Sequence, residues 1–226
     1  MILCLETSGK TCSVALALDG KCIAYSESSE QWSHSKQITL MIRDLLQEVG
    51  KQMSDLQAVA VSRGPGSYTG LRVGASCAKG ICYAQDIPLL SVPTLEIIAT
   101  EAREHGIDED SKLIPMIDAR RQEVYCNTYD TALAELGETH NRILDADSFA
   151  EMSNDKLVFC GDGALKMAPH AQSREHWTIS PSFAKASHMA ATACLHYKEG
   201  KLEDLAYYIP FYLKPPNITK SKKSLF

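Results

Sequence analysis

The chain has 226 residues, of which 45% are apolar and 23% charged, and its formal net charge is −5. These proportions fit a soluble globular protein of one large domain or two small lobes, and they exclude a whole-surface attraction to nucleic acid. No apolar run approaches the roughly 20 residues of a membrane span, and the start, Met1 to Glu6, lacks the basic region of a secretory signal.

In chain order, Ile2–Glu6 and Cys12–Leu18 are apolar strands. Asp19-Gly20 is a hairpin turn signal, because both residues tolerate positive φ, and Cys22–Ser28 returns as a third strand. A helix is predicted from Ser35 to Val49, with Ile38, Met41, Ile42, Leu45 and Val49 on one face and Gly50 at its end. Leu56–Ser62 reads as a β-branched strand. A glycine-rich stretch and a helix to Ala84 follow, then a short strand Pro88–Val92. Thr94 is positioned to cap a third helix that stops at Gly106. The order β-β-β-α-β-α-β-α predicts a mixed α/β sheet with crossover helices, similar to one lobe of the ribonuclease-H-like folds that include actin-like ATPases and sugar kinases.

The second half reads as a shortened copy of the first. Strands are predicted at Leu113–Ile117, Glu123–Tyr129, Arg142–Leu144, Leu157–Cys160 and Trp177–Ile179. Helices are predicted at Asp147–Met152 and Ser182–Lys198. The expected division is an N-terminal lobe of residues 1–106 and a smaller C-terminal lobe of residues 107–226, whose last helix has the option of packing back on the first lobe. Eight cysteines are scattered without a CxxC pair, which points to a reducing cytoplasm without disulfides and to no zinc site.

The stretch SRGPGSYTGLRVG, Ser62 to Gly74, admits two readings. A glycine loop between strand and helix can cradle phosphate on free N–H groups. It can equally be a tight turn whose glycines permit close backbone approach. The stretch fits neither GxxxxGK[ST] nor GxGxxG, and Lys79 lies well inside the following helix, so the packing reading is favoured. On that helix Leu71, Ala75, Ala78 and Cys82 share one face, while Val73, Cys77, Gly80 and Ala84 share nearly the opposite one. A helix apolar on two faces should be buried on both, the second against a neighbouring helix or another subunit. Leu40, beside Lys36, Arg43 and Gln47 on the preceding helix, extends that candidate interface.

Five stretches taken together, ILCLETSGKTCSVAL, SRGPGSYTGLRVG, MIDARRQEVY, FCGDGA and YYIPFYLKPP, span nearly the whole chain and resemble the TsaB family. This is the YeaZ-type protein of bacterial tRNA threonylcarbamoyladenosine synthesis. The resemblance implies an actin-like ATPase (ASKHA) fold with a truncated second lobe. It implies a non-catalytic, cytoplasmic partner of the transferase TsaD, with the small ATPase TsaE completing the machinery and tRNA reached through the complex. It also implies pairing with TsaD, or with a second copy of the chain, through the first two helices of the N-terminal lobe. No cofactor or metal is expected on this chain alone, with ATP or ADP and a metal ion held by the partners.

The residues themselves leave an independent actin-like ATPase or kinase, and a homodimeric binding module, as competing readings. Glu6-Thr7-Ser8 occupies the turn where such ATPases hold magnesium-bound phosphate; the glutamate could reach a metal-bound water or simply cap local N–H groups. In the cradle reading Gly64 and Gly66 are further candidates for a vestigial nucleotide or junction site. In the second half Asp118, beside Arg120 and Arg121, is either an ion-paired turn or half of a vestigial phosphate site. Gly161-Asp162-Gly163 is either an adenosine-contacting turn or a plain strand-to-helix turn. His34 has Ile38 four residues on, so a metal-binding histidine pair is excluded there, and no nucleophile elbow supports a protease. The tail Asn217–Lys223 is basic and reads as a frayed end or a contact for tRNA phosphates, and no stacking cluster of aromatics is legible in the chain.

Overall fold

The computed structural model describes residues 1–28, 34–172 and 174–215, with the backbone alone for 34–36. The predicted tail Asn217–Lys223 therefore lies outside the described residues.

Strands β1 (Ile2–Glu6), β2 (Ser13–Leu18) and β3 (Lys21–Glu27) form an antiparallel meander, turning at Asp19 and Gly20 with φ of 50° and 81°. Helix α1 (His34–Glu48) ends at Gly50, whose φ is 64°. The chain then passes through β4 (Ala58–Ser62), α2 (Tyr68–Gln85), β5 (Leu89–Val92) and α3 (Thr94–Glu104). The sheet order is β3-β2-β1-β4-β5, antiparallel from β1 to β3 and parallel from β1 to β5.

The second sheet repeats this plan. Its strands are β6 (Lys112–Asp118), β7 (Glu123–Cys126), β8 (His140–Ile143), β9 (Leu157–Cys160) and β10 (Trp177–Ser180), in the order β10-β9-β6-β7-β8. As β1 pairs antiparallel with β2 and parallel with β4, so β6 pairs antiparallel with β7 and parallel with β9. What the second half lacks is helix. Where the first has α1 and α2, of 15 and 18 residues, the second has a 3-10 turn at Ala150–Met152 and the four-residue α4 (Ala168–Ala171).

Alternation along the strands sends successive side chains to opposite faces. In the first sheet Leu3, Leu5, Val14, Leu16, Val59 and Val61 meet Ile38, Ile42 and Leu45 of α1 and Ala75, Ala78 and Cys82 of α2. The other face is lined by small residues, with Cys4, Ala15, Ala17, Ala58 and Ala60 under Ile97 of α3. The rest of its cover comes from Ala186, Met189, Ala190 and Ala193, in and just before helix α5 (Ala190–Glu199). The last helix thus completes the core of the first sheet. Helix α3 is wedged between the sheets: Ile97 faces the first, while Leu95, Ile98, Ala99 and Ala102 pack on Leu113, Val158 and Cys160 of the second.

Three local expectations change. The predicted helix Asp147–Met152 is reduced to its final 3-10 turn, because Ser148 N–H and Oγ bond back to Asp145 and tighten the entry. The predicted helix Ser182–Lys198 starts at Ala190. Before it, Phe183 N–H and Lys185 are tied to the buried Glu101, which keeps residues 182–185 out of the helix, and Ala186, whose N–H donates to Ser13 Oγ at 2.9 Å, opens a 3-10 turn to Met189. Thr94 does not cap α3: its hydroxyl accepts from Gly64 N–H at 3.1 Å, and Pro93 holds the capping position.

The second core rests on an aromatic row, with Phe149 on Phe159 and Phe159 on Trp177, each pair 5.3 Å between centroids and near edge-on. Phe159→Ala should therefore cost about 3–5 kcal/mol, read as a lower urea midpoint with an unchanged m-value.

Candidate functional site

The ends of β1 and β4 bring together the Glu6–Ser8 turn and the glycine stretch, and the contact between them is close. A Cβ added to Gly70 would overlap the carbonyl oxygen of Thr7, and one on Gly66 would lie 2.7 Å from Ser8 Cβ. Ser67 N–H donates to Ser8 O at 2.7 Å, and Ser67 Oγ caps α2 by accepting from Gly70 N–H at 3.2 Å. On the opposite side, the carbonyl of Phe211 fills the space a side chain at Gly64 would need, and Phe211 N–H donates to Arg63 O at 2.7 Å. The N–H groups of Gly64, Ser67 and Gly70 are thus all committed to acceptors within the chain.

Glu6 is buried, 1% exposed, and accepts Ser8 N–H at 2.5 Å. Burial pushes its carboxyl above the usual range; Ser8 and Ser62 pull the other way, Ser62 without completing a hydrogen bond. Glu6 Oε2, Thr7 Oγ1 and Ser62 Oγ have no hydrogen-bond partner among the described residues, and Thr7 Oγ1 is pressed against Gly74. A carboxyl raised in this way stores no ion pair.

The second lobe makes the same joint. Gly161, with φ of 96°, leans on the Met116 carbonyl, and a Cβ on Gly163 would lie 3.0 Å from Ile117 C and Val124 Cγ1. Asp118 N–H donates to Asp162 Oδ1 at 2.9 Å, which closes the two turns on one another. Burial would raise the Asp118 carboxyl, but Lys166 at 2.7 Å, the N–H of Arg120 and the charge of Lys10 together hold it below the usual range. The ion pair expected with the arginines is made instead by Lys166, whose ammonium also reaches Glu123 O at 2.8 Å. Arg120 and Arg121 sit at φ of 72° and 49° with exposed side chains that make no ion pair among the described residues. Among the described residues no group of three or more His, Cys, Asp or Glu is placed to hold a metal ion.

The candidate interface lies on α1 and α2. Leu40 is 48% exposed, Gln47 is exposed, and Arg43 pairs with its neighbour Asp44 in a solvent-exposed bridge of small energetic weight. Val73 and Cys77 are half-buried: with Ile38, Thr39, Arg72 and Ser76 they line a 510 Å³ groove between the helices. Further along α2, Gly80 and Ala84 are exposed and Tyr83 is 84% exposed. The second apolar face of α2 is therefore met by α1 at its start and open at its end. Lys36 is in α1, with its side chain outside the described set.

The segment after α5 is a strap that the sequence did not reveal. Glu203 N–H pairs with Leu89 O, Lys79 Nζ donates to the carbonyls of Ala206 and Tyr208, Phe211 docks on Arg63, and Lys214 reaches Glu123 of β7. It brings Tyr212 to Tyr68 at 4.8 Å between ring centroids, with the Arg72 guanidinium 4.5 Å from the Tyr68 centroid. Only the spacing of Tyr68 and Arg72, one helical turn, was available as a signal.

A family model described as TsaD, tRNA N6-adenosine threonylcarbamoyltransferase, matches residues 27–224. The tRNA threonylcarbamoyladenosine biosynthesis protein TsaB of Escherichia coli K12 is 30% identical over 94% of both chains. That of Bacillus subtilis 168 is 30% identical over 94% of this chain and 93% of its own. The structure of YeaZ from Pseudomonas aeruginosa superposes with a TM-score of 0.79 at 27% identity, covering 94% of this chain and 99% of the other. In fold alone, the activator of 2-hydroxyisocaproyl-CoA dehydratase from Clostridium difficile is similar, with a TM-score of 0.51 at 12% identity over 88% of this chain and 96% of its own.

Two outcomes test this site. Gly70→Ala forces a methyl into the Thr7 carbonyl and should destabilise by about 1–3 kcal/mol in chemical denaturation. Because burial raises the Glu6 carboxyl, the folded chain must ionise it at a cost. Wild type should lose stability relative to Glu6→Gln as pH climbs above the ordinary value of 4.5, and the gap should close below it in melts across pH.

Proposed function

Since the chain belongs to the TsaB (YeaZ-type) family and has its role in tRNA threonylcarbamoyladenosine biosynthesis, we propose that it acts there as a non-catalytic subunit that docks and activates a TsaD-like transferase through α1 and α2. The single observation that carries this reading is the open end of α2, where Gly80, Tyr83 and Ala84 are exposed, together with the exposed Leu40 of α1. Gly70 and Gly74 of α2 are required by its contact with Thr7, but Gly80 faces open space and costs the helix roughly 1 kcal/mol, which close packing against a second surface would offset.

A scaffold role is also favoured by how the glycine stretch spends its donors. The N–H groups of Gly64, Ser67 and Gly70 answer Thr94, Ser8 and Ser67, and the strap closes the stretch from the other side, which favours its use as a joint. In this proposal nucleotide and metal belong to TsaD- and TsaE-like partners in the cytoplasm, tRNA is modified by the assembled complex, and the same helix face pairs two copies of the chain when the transferase is absent. By binding the competent state of its partner preferentially, the face would shift that partner's population toward activity.

Reconstituted threonylcarbamoylation should fall to background without this chain. Leu40→Asp and Ala84→Glu should each weaken co-sedimentation with the transferase at least about tenfold, since a charge would be buried at the contact. Unchanged association would overturn the interface. Magnesium-dependent ATP hydrolysis by the isolated chain, lost in Glu6→Gln, would favour an independent actin-like ATPase.

A further inference from the structure

The strap assembles a surface patch that adjoins the α1–α2 groove and shares Tyr68 and Arg72 with it, while Arg63, Phe211 and Tyr212 lie outside the groove lining. The strap sets two ring contacts next to each other in the chain: Tyr212 on Tyr68 at the start of α2, and Phe211 beside Arg63 at the end of β4. Two guanidiniums lie over them, Arg72 at 4.5 Å from the Tyr68 centroid and Arg63 at 6.0 Å from that of Phe211. Both arginines are exposed, Phe211 is 37% exposed, and neither arginine makes an ion pair among the described residues. The patch is fixed in place by Phe211 N–H on Arg63 O and by Lys214 on Glu123. The acid whose field reaches Arg63, Glu96, is bonded to Thr192, and Glu123 is paired with Lys214. From Pro215 the sequence runs on through Lys220, Lys222 and Lys223 without an acid.

We propose that this platform, Arg63, Tyr68, Arg72, Phe211 and Tyr212, binds a single-stranded segment of RNA; the proposal rests on the chain's role in tRNA modification. Unpaired bases can splay and stack on tyrosine rings and on guanidinium planes, whereas a duplex keeps its bases stacked on each other. A guanidinium beside a ring and free of ion pairs keeps N–H donors available for phosphate oxygens. With a net charge of −5 the chain has no general attraction for RNA, so any affinity must be local and must depend on these side chains.

The test uses the full chain and fluorescence anisotropy at low salt, with a labelled anticodon stem-loop RNA and a fully paired RNA of equal length as probes. The stem-loop should bind in preference to the duplex. Tyr212→Leu and Arg63→Gln should each weaken stem-loop binding about tenfold, and the arginine variant should flatten the dependence of log affinity on log salt by about 0.7. Arg63→Lys keeps the charge without the plane, so it should lose affinity while keeping the salt slope, and thermal melts verify that each variant is folded. Equal binding of duplex and loop, or undiminished affinity in folded variants, overturns the proposal. So does loss of transferase co-sedimentation in place of RNA binding, which would make the patch a protein surface. The two readings fail separately. A chain that binds the loop without stimulating modification sinks the scaffold role and leaves the platform, and the converse result does the reverse.

Discussion

The structure depends on one close approach: the backbone of the glycine stretch against the backbone of the Glu6–Ser8 turn. Where α2 begins, no side chain separates the helix from the end of β1, and Gly66 and Gly70 make that possible. The approach fixes the direction of α2, lays Ala75, Ala78 and Cys82 on the sheet, and orients the outward face that carries Tyr83 and Ala84. Sequence, packing and the proposed docking face are therefore one chain of cause. The same approach encloses Glu6, Thr7 and Ser62 with three polar atoms unpartnered, a cost of order 1–3 kcal/mol for each such group that the surrounding apolar burial must outweigh.

The second lobe uses the same joint with less around it. Gly161 and Gly163 lean on the end of β6 as the glycine stretch leans on β1, and the two sheets share a strand order. Without counterparts of α1 and α2, the second core draws on the aromatic row of Phe149, Phe159 and Trp177, and on α3. Helix α3 is buried on nearly every side because it serves both sheets at once.

Strong periodicity and local turn chemistry made much of the fold legible. The Asp19-Gly20 turn, the stripe of α1 and the β-branched run of β4 are dictated within a few residues, and all stand where they were expected. The helix starts near Ser148 and Ser182 were missed because their hydroxyls, N–H groups and neighbours bond to partners that helical pattern does not encode, Glu101 and Ser13 among them. The packing reading of the glycine stretch could be argued from the lysine it lacks, but the walls that fill it, Thr7 and Phe211, are far apart in the chain. Asp118 followed the same rule. Two neighbouring arginines suggested its partner, yet the ion pair comes from Lys166, in the 3-10 turn after β9. The Tyr68–Tyr212 platform exists only after the chain has closed on itself.

The alanine-lined face of the first sheet receives its cover from residues 186–193, in the last fifth of the described chain. During synthesis on the ribosome, Ile2, Cys4 and the alanines of β2 and β4 emerge long before the helix that shelters them. The N-terminal half can therefore collapse early but cannot seal. The nascent chain must wait, one greasy side bare, until residues 186–193 have emerged, and a product cut short of them would expose that side permanently to holdase chaperones and proteases.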